Sequence, residues 1–269
     1  MMTAHLGRVA GLLLLLFTPP LLAAPAAAPL RVRFSNQTYP PYAGSRLPDG
    51  GIMTSLVTEV FRRAGVQVTY TWYPNNRALQ LARNGDVDGS LGWTPSAERQ
   101  RDLLFSDEVL PFRMVFFQRK GEHYPWRTLA DLAPWRLGVT LGNFYSPAFD
   151  HLVRQGVLKT DESPDDVSNM RKLAAGRVDL VPMERESGSY LLRQHLPAQA
   201  AQLQAQDKAY WQAPMGIVIW RHHPQAAELL GRFNRQLAAM KRSGELKRLL
   251  LAARQRVLQQ SAAESTEIR

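Results

Sequence analysis

Residues 30–34, Leu-Arg-Val-Arg-Phe, alternate apolar and polar side chains with the period of two that a half-buried strand requires. Beyond a turn-rich stretch, Tyr39-Pro40-Pro41-Tyr42-Ala43-Gly44, the period changes. Met53, Leu56, Val57, Val60, Phe61 and Ala64 recur three and four apart, which predicts a helix closed by Gly65 as its C-terminal cap. A strand is expected at 66–72, a helix at 75–84 with Asn75 or Asn76 as its cap, and a strand at 87–93. Strand alternating with helix predicts an α/β fold, a sheet with helices packed on its faces.

After Lys120 the pattern begins again. Residues 135–141 read as strand, Ser146-Pro147 opens a helix with a capping hydroxyl and a proline in the first turn, and Gly156 ends it. Ser163-Pro164-Asp165-Asp166 opens another helix in the same style, followed by an apolar strand at 178–181. Residues 172–179, Lys-Leu-Ala-Ala-Gly-Arg-Val-Asp, match 81–88, Leu-Ala-Arg-Asn-Gly-Asp-Val-Asp, as helix, glycine cap and Val-Asp entering a strand. The match suggests two lobes of related design. A late strand is expected at 216–220, then a helix striped by Leu229, Leu230, Phe233, Leu237 and Met240 that stops near Gly244. Residues 256–269 are expected to form a disordered tail, since the segment from Gln259 is polar.

The first 26 residues stand apart. Arg8 precedes an apolar run broken by Pro19-Pro20, and small residues follow up to Ala28, the layout of a cleaved secretory signal with cleavage near Ala26. The run is too short to span a bilayer, for which about 20 apolar residues are needed. The chain has no cysteine, hence no disulfide and no thiol for N-terminal lipid attachment. A soluble, non-lipidated periplasmic protein is the expectation. The formal charge of +10 does not redirect it, because the basic residues are scattered over polar helix faces with no aromatic-interleaved basic strip of the kind nucleic acid binding calls for.

Catalytic patterns are missing: no Gly-x-Ser-x-Gly elbow, no phosphate-cradling glycine loop and no His-Glu-x-x-His. The histidines show no ligand-like spacing, and Asp86-x-Asp88-Gly89 lacks the later ligands of a calcium loop, so neither metal nor cofactor is expected. Two polar clusters follow expected strands at their C-terminal ends, where sheets with flanking helices place ligand groups. Glu184-Arg185-Glu186 follows one. Thr94-Pro95-Ser96 follows the other, with Pro95 suited to open a short helix that sets Thr94 and free amides near Arg99, a combination suited to a carboxylate.

The ordered set Tyr39-Pro40-Pro41-Tyr42, Gly85-x-x-Asp88, Thr94 with Glu98-Arg99, Phe105-Ser106, Leu129-x-x-Leu132 through Gly138-Val139 to Gly142, Gly176-Arg177-x-Asp179 and the closing helix with Gly244 resembles the bacterial extracellular solute-binding proteins of family 3, periplasmic receptors of polar amino-acid ABC importers. The resemblance runs from Leu30 to Leu251. It implies the two-lobed type II periplasmic-binding-protein fold, with lobe one formed by 27–118 and 214–255 and lobe two by 119–213, joined by two crossing strands near 112–119 and 214–220. It also implies a monomer that closes on a small polar solute and hands it to an inner-membrane ABC permease. Position by position, Arg99 would hold the solute carboxylate with Thr94 beside it, Tyr39 would form an aromatic wall, and Glu184 would take the ammonium. Asn76 replaces a second aromatic wall, and Asn143 within Gly142-Asn143-Phe144 replaces a hydroxyl donor. Arg77 and Trp93 read either as further cleft residues or as helix-surface and core residues. Two other functions share the resemblance: a periplasmic dehydratase, whose catalytic glutamate falls at Ser187 with Glu186 adjacent, and a binding protein that signals to a membrane sensor without a transporter.

Overall fold

The structure, a computed structural model, describes residues 30–73 and 75–267, and the side chains of these except 75, 76 and 261–267. The secretory signal expected at 1–26 lies outside the described residues. In chain order the elements are β1 (Leu30–Gln37), α1 (Ile52–Arg63), β2 (Val66–Tyr73), α2 (Asn75–Asn84), β3 (Gly89–Trp93), β4 (Leu103–Phe105), β5 (Leu110–Arg119), β6 (Arg136–Thr140), α3 (Pro147–Arg154), β7 (Lys159–Ser163), α4 (Asp166–Ala174), β8 (Val181–Glu184), α5 (Arg185–His195), α6 (Pro197–Ala200), β9 (Leu203–Trp220), α7 (Ala226–Arg242) and α8 (Glu245–Glu267).

The main sheet has the order β2-β1-β3-β9-β5-β8, with β4 also paired to β9. β1 runs parallel to β2 and β3, whereas β9 is antiparallel to β3, β4 and β5. β6 and β7 form a parallel pair that reaches the rest of lobe two through the Leu137–Leu180 bridge. β5 and β9 are the two crossing strands. β9 begins at Leu203 rather than at the expected 216, because only its last residues are buried in an apolar run; its first half is half-exposed and carries no clear alternation.

Period-two alternation places the cores. In lobe one Val32, Phe34, Ile217 and Ile219 face α1, α7 and α8, while Val218 faces the opposite layer with Ala78, Ala82 and Trp93. In lobe two Val115 and Phe117 of β5 face one cluster with Met170 and Leu173, and Met114 and Phe116 face another with Leu137 and Phe149. Each such side chain contributes about 1.5–3 kcal/mol by burial.

The two matched junctions are built alike. Gly85 and Gly176 both adopt positive φ, 79° and 70°, to end their helices. Asp88 and Asp179 then each accept a hydrogen bond from the backbone N–H of a neighbouring strand residue, Arg33 at 2.7 Å and Arg136 at 2.8 Å.

One expectation is corrected at the C-terminus. After the turn at Gly244 the chain forms α8, which runs to Glu267 instead of fraying from residue 256. Leu246, Ala253 and Val257 form a narrow apolar stripe buried on the lobe-one core, and the Gln260 side-chain amide donates to the Arg46 carbonyl at 2.9 Å. The stripe is too narrow, and its flanks too charged, to stand out by periodicity.

Candidate functional site

Tyr39 and Tyr42 occupy the turn between β1 and α1. The turn is anchored because the first amides of α1, which have no partners within the helix, donate to the carbonyls of Pro41 (from Ile52, 3.0 Å) and Tyr42 (from Met53, 2.8 Å). Gly51 makes this approach possible: its φ is 103°, and a β-carbon there would sit 2.6 Å from the Tyr42 carbonyl oxygen. Tyr39 stacks on Tyr42 at 5.8 Å and on Phe112 of β5 at 6.5 Å between ring centres. The aromatic run continues edge-on from Phe112 to Trp211 of β9 at 5.8 Å and from Trp211 to Phe144 at 5.9 Å. Phe144 lies 60% exposed and Leu141 67% exposed in the loop after β6. That loop, at the C-terminal end of its strand, presents uncovered apolar surface where most of the chain hides it.

Trp93 ends β3 after a bulge in which Gly92 takes a φ of 81°. Its indole N–H donates to the Ser90 hydroxyl at 2.8 Å, and the ring is buried in the layer under α2. The Arg99 guanidinium lies over that ring, 5.2 Å from its centre, a cation–π arrangement. Arg99 also donates to the Thr94 carbonyl at 2.8 Å and hydroxyl at 3.2 Å. The short helix expected to open at Pro95 is reduced to one turn: 94–96 carry no regular structure, the Gln100 amide donates to the Ser96 carbonyl at 2.9 Å, a 3-10 turn spans Arg99–Arg101, and the Ser96 hydroxyl accepts from the Arg99 amide.

The acids around Arg99 are engaged elsewhere. Arg83 of α2 takes Glu98 at 2.8 Å and Asp102 at 2.7 Å. Among the described residues Arg99 has no carboxylate partner, and its partial burial lowers its pKa, an effect the neighbouring Glu98 charge opposes. A half-buried guanidinium that is held in place by neutral oxygens and an aromatic face can still receive an anion bidentately.

Glu184, the last residue of β8, is 2% exposed. It caps α5, one carboxyl oxygen accepting from the Ser187 amide at 2.8 Å, and the other accepts from the Tyr42 hydroxyl of lobe one at 3.0 Å. Burial raises its pKa from 4.5 to about 7; the hydrogen bonds from Ser187 and Tyr42 pull in the other direction, and the charge of Glu186 adds to the rise. A second carboxyl, Asp166 at the start of α4, accepts from the Thr140 hydroxyl, which in turn accepts from Asn169 at 2.9 Å. Burial raises its pKa too, and its charge is felt at Tyr39.

Of the residues singled out in the sequence, Tyr39 and Glu184 are thus joined through Tyr42, and Thr94, Trp93 and Arg99 form a second group. Arg77 is exposed and lies over the Tyr73 ring at 5.7 Å, away from both groups' contacts. Asn143 is exposed in the Phe144 loop, its backbone N–H donating to the Thr140 carbonyl at 3.1 Å. The Asn76 side chain lies outside the described ones. Tyr42, Phe112, Phe144, Asp166 and Trp211 were not expected as site residues. Phe112 falls on an expected crossing strand, and that position was the available signal; Trp211 lies before the expected 214–220 strand, in the part of β9 the sequence did not mark. Among the described residues no group of three or more His, Asp or Glu could hold a metal ion.

The profile of the bacterial extracellular solute-binding proteins, family 3, matches residues 31–252. The chain belongs to that family. No curated protein sequence matches it. Among solved structures it is similar to an ancestral arginine-binding protein bound to arginine, with 21% identity, a TM-score of 0.62, and 81% of this chain and 96% of that one covered. It is also similar to an arginine transport-system periplasmic binding protein from Legionella pneumophila, with 19% identity, a TM-score of 0.62 and coverages of 83% and 99%. A histidine kinase sensor domain aligns equally well, with 21% identity, a TM-score of 0.63 and coverages of 82% and 95%. These likenesses establish the two-lobed type II binding-protein fold. The membership and the fold make this family-3 chain a binding protein for a small molecule.

Proposed function

We propose that this family-3 protein captures an amino acid or a closely related carboxylate in the cleft between its lobes and delivers it to an ABC importer, after export to the periplasm. The observation that carries the reading is Arg99, a half-buried cation oriented by Thr94 and Trp93 whose neighbouring acids are taken by Arg83. A ligand carboxylate supplies the missing partner. The aromatic run from Tyr39 to Phe144 then covers the ligand's body, and Glu184 receives its ammonium, for which the carboxyl must ionise. Hinge motion at β5 and β9 closes the lobes over it.

The similarity to the arginine-binding proteins supports an amino acid, and that to the sensor domain supports a second reading, in which the loaded form signals to a membrane protein. The enzymatic reading is disfavoured: Glu186, the acid adjacent in sequence to the position a dehydratase would use, is held by Arg254, and the Glu184 carboxyl beside Ser187 is occupied by the Ser187 amide and the Tyr42 hydroxyl. The test is a thermal-shift screen of amino acids, polyamines and small carboxylates, since bound ligand stabilises by mass action. Arg99→Ala is expected to abolish the stabilisation given by the best ligand. Unchanged stabilisation in the variant refutes the assignment.

A further inference from the structure

α8 does more than complete the lobe-one core. Its last turns lie beyond residue 252, where the family match ends, and Arg254, Arg256 and Gln260 in them make polar contacts. Arg256 pairs with Asp49 at 2.9 Å beside the start of α1, and Gln260 reaches the Arg46 carbonyl, so these turns are fixed to lobe one. Arg254 points the other way, to Glu186 in the first turn of α5 of lobe two. Glu186 is the only carboxylate partner of Arg254 among the described residues, and the pair is partly shielded, at 38% and 29% side-chain exposure. Tyr190, one turn further along α5, packs against the lobe-one core. The first turn of α5 is also the turn that carries Glu184 as cap and Ser187 as donor to it.

We propose that Arg254 is a positioning residue: through Glu186 it clamps the first turn of α5 to lobe one, and so biases the two lobes toward the closed arrangement in which Tyr42 meets Glu184. The clamp is a property of the extended α8. It acts apart from the crossing strands, since it joins a C-terminal helix of one lobe to a helix of the other. The proposal rests on the reading of the cleft as one that opens and closes, and its test uses no solute, so its failure is separate from failure of the Arg99 assignment.

The chain has no cysteine, so a pair of labelling sites can be introduced cleanly at Gln67 and Lys159, both exposed, on the outer strands of the two lobes. Spin labels there report the lobe separation by pulsed electron resonance in the ligand-free protein. Arg254→Met and Glu186→Gln are each expected to move population toward longer separations, changing the closed-to-open ratio by up to about five-fold, the upper end for a partly exposed ion pair. The swapped pair, Arg254→Glu with Glu186→Arg, is expected to return the distribution toward that of the unaltered chain. Distances that stay unchanged in both single variants overturn the proposal, including where melting temperatures fall. So does a shift toward shorter separations, or an outward shift that the swap leaves uncorrected.

Discussion

Glu184→Gln isolates the cost of a buried carboxyl. Folding raises the Glu184 pKa from 4.5 to about 7, so the folded protein holds a proton there that the unfolded chain releases. For an acid shifted upward the sign is fixed: this group's contribution is most favourable below the unfolded value, declines as pH rises from 4.5 to 7, and is constant above. At 1.36 kcal/mol per pH unit the decline is about 3 kcal/mol. Glutamine keeps both contacts, its oxygen accepting from the Ser187 amide and its NH₂ donating to a Tyr42 hydroxyl that reverses its role. Urea unfolding of both proteins between about pH 5 and pH 8 reads the difference, all other groups cancelling. The variant is expected to match the parent near pH 5 and to exceed its stability by about 2–3 kcal/mol near pH 8. A difference that does not vary with pH refutes the assignment of a raised pKa to this carboxyl.

Other outcomes follow from the same contacts. An amine-bearing ligand that ionises Glu184 is expected to release close to one proton on binding near pH 6, measured by titration calorimetry in buffers of different ionisation enthalpy; no buffer dependence argues against the ammonium contact. Arg83→Ala frees Glu98 and Asp102 to compete for Arg99, so ligand affinity is expected to fall several-fold although Arg83 itself touches no ligand; equal affinity refutes the isolation of Arg99. Phe144→Ser removes a ring that is 60% exposed and is expected to leave urea stability within about 0.5 kcal/mol while weakening binding; the reverse pattern makes the ring structural. Asp88→Ala and Asp179→Ala each remove the acceptor of a solvent-accessible backbone N–H and are expected to cost about 0.5–1.5 kcal/mol apiece, to a similar degree, in urea unfolding.

Much of the fold is written locally. The stripe at Met53, Leu56, Val57, Val60 and Phe61 falls on α1 and is fully buried, and the glycine caps at 65, 85, 156, 176 and 244 all adopt positive φ. The paired Gly-x-Val-Asp junctions are legible because one chemical device is used twice. What escaped was decided by distant chain. The first half of β9 is a strand because β5 pairs with it, not through any alternation of its own, so Trp211 gave no sign of its place. α8 is held by a three-residue stripe and by partners at Asp49, Arg46 and Glu186, all remote in sequence. Within the site, the pairing of Thr94 with Arg99 is local and was readable, whereas the bond from Tyr42 to Glu184 spans the two lobes and was not.

The lobe-one core draws on both ends of the chain. Val32 and Phe34 of β1 and Phe61 of α1 are packed against Ile217 and Ile219 of β9, Phe233 and Leu237 of α7, and Val257 of α8. As the chain emerges from the ribosome, β1 and α1 can meet β2 and β3 early but lack β9, α7 and α8 until those late segments have been made, while β5 through β9 can pair as a contiguous stretch. Completion of lobe one therefore waits on β9, α7 and α8, the last elements of the described chain to be synthesised.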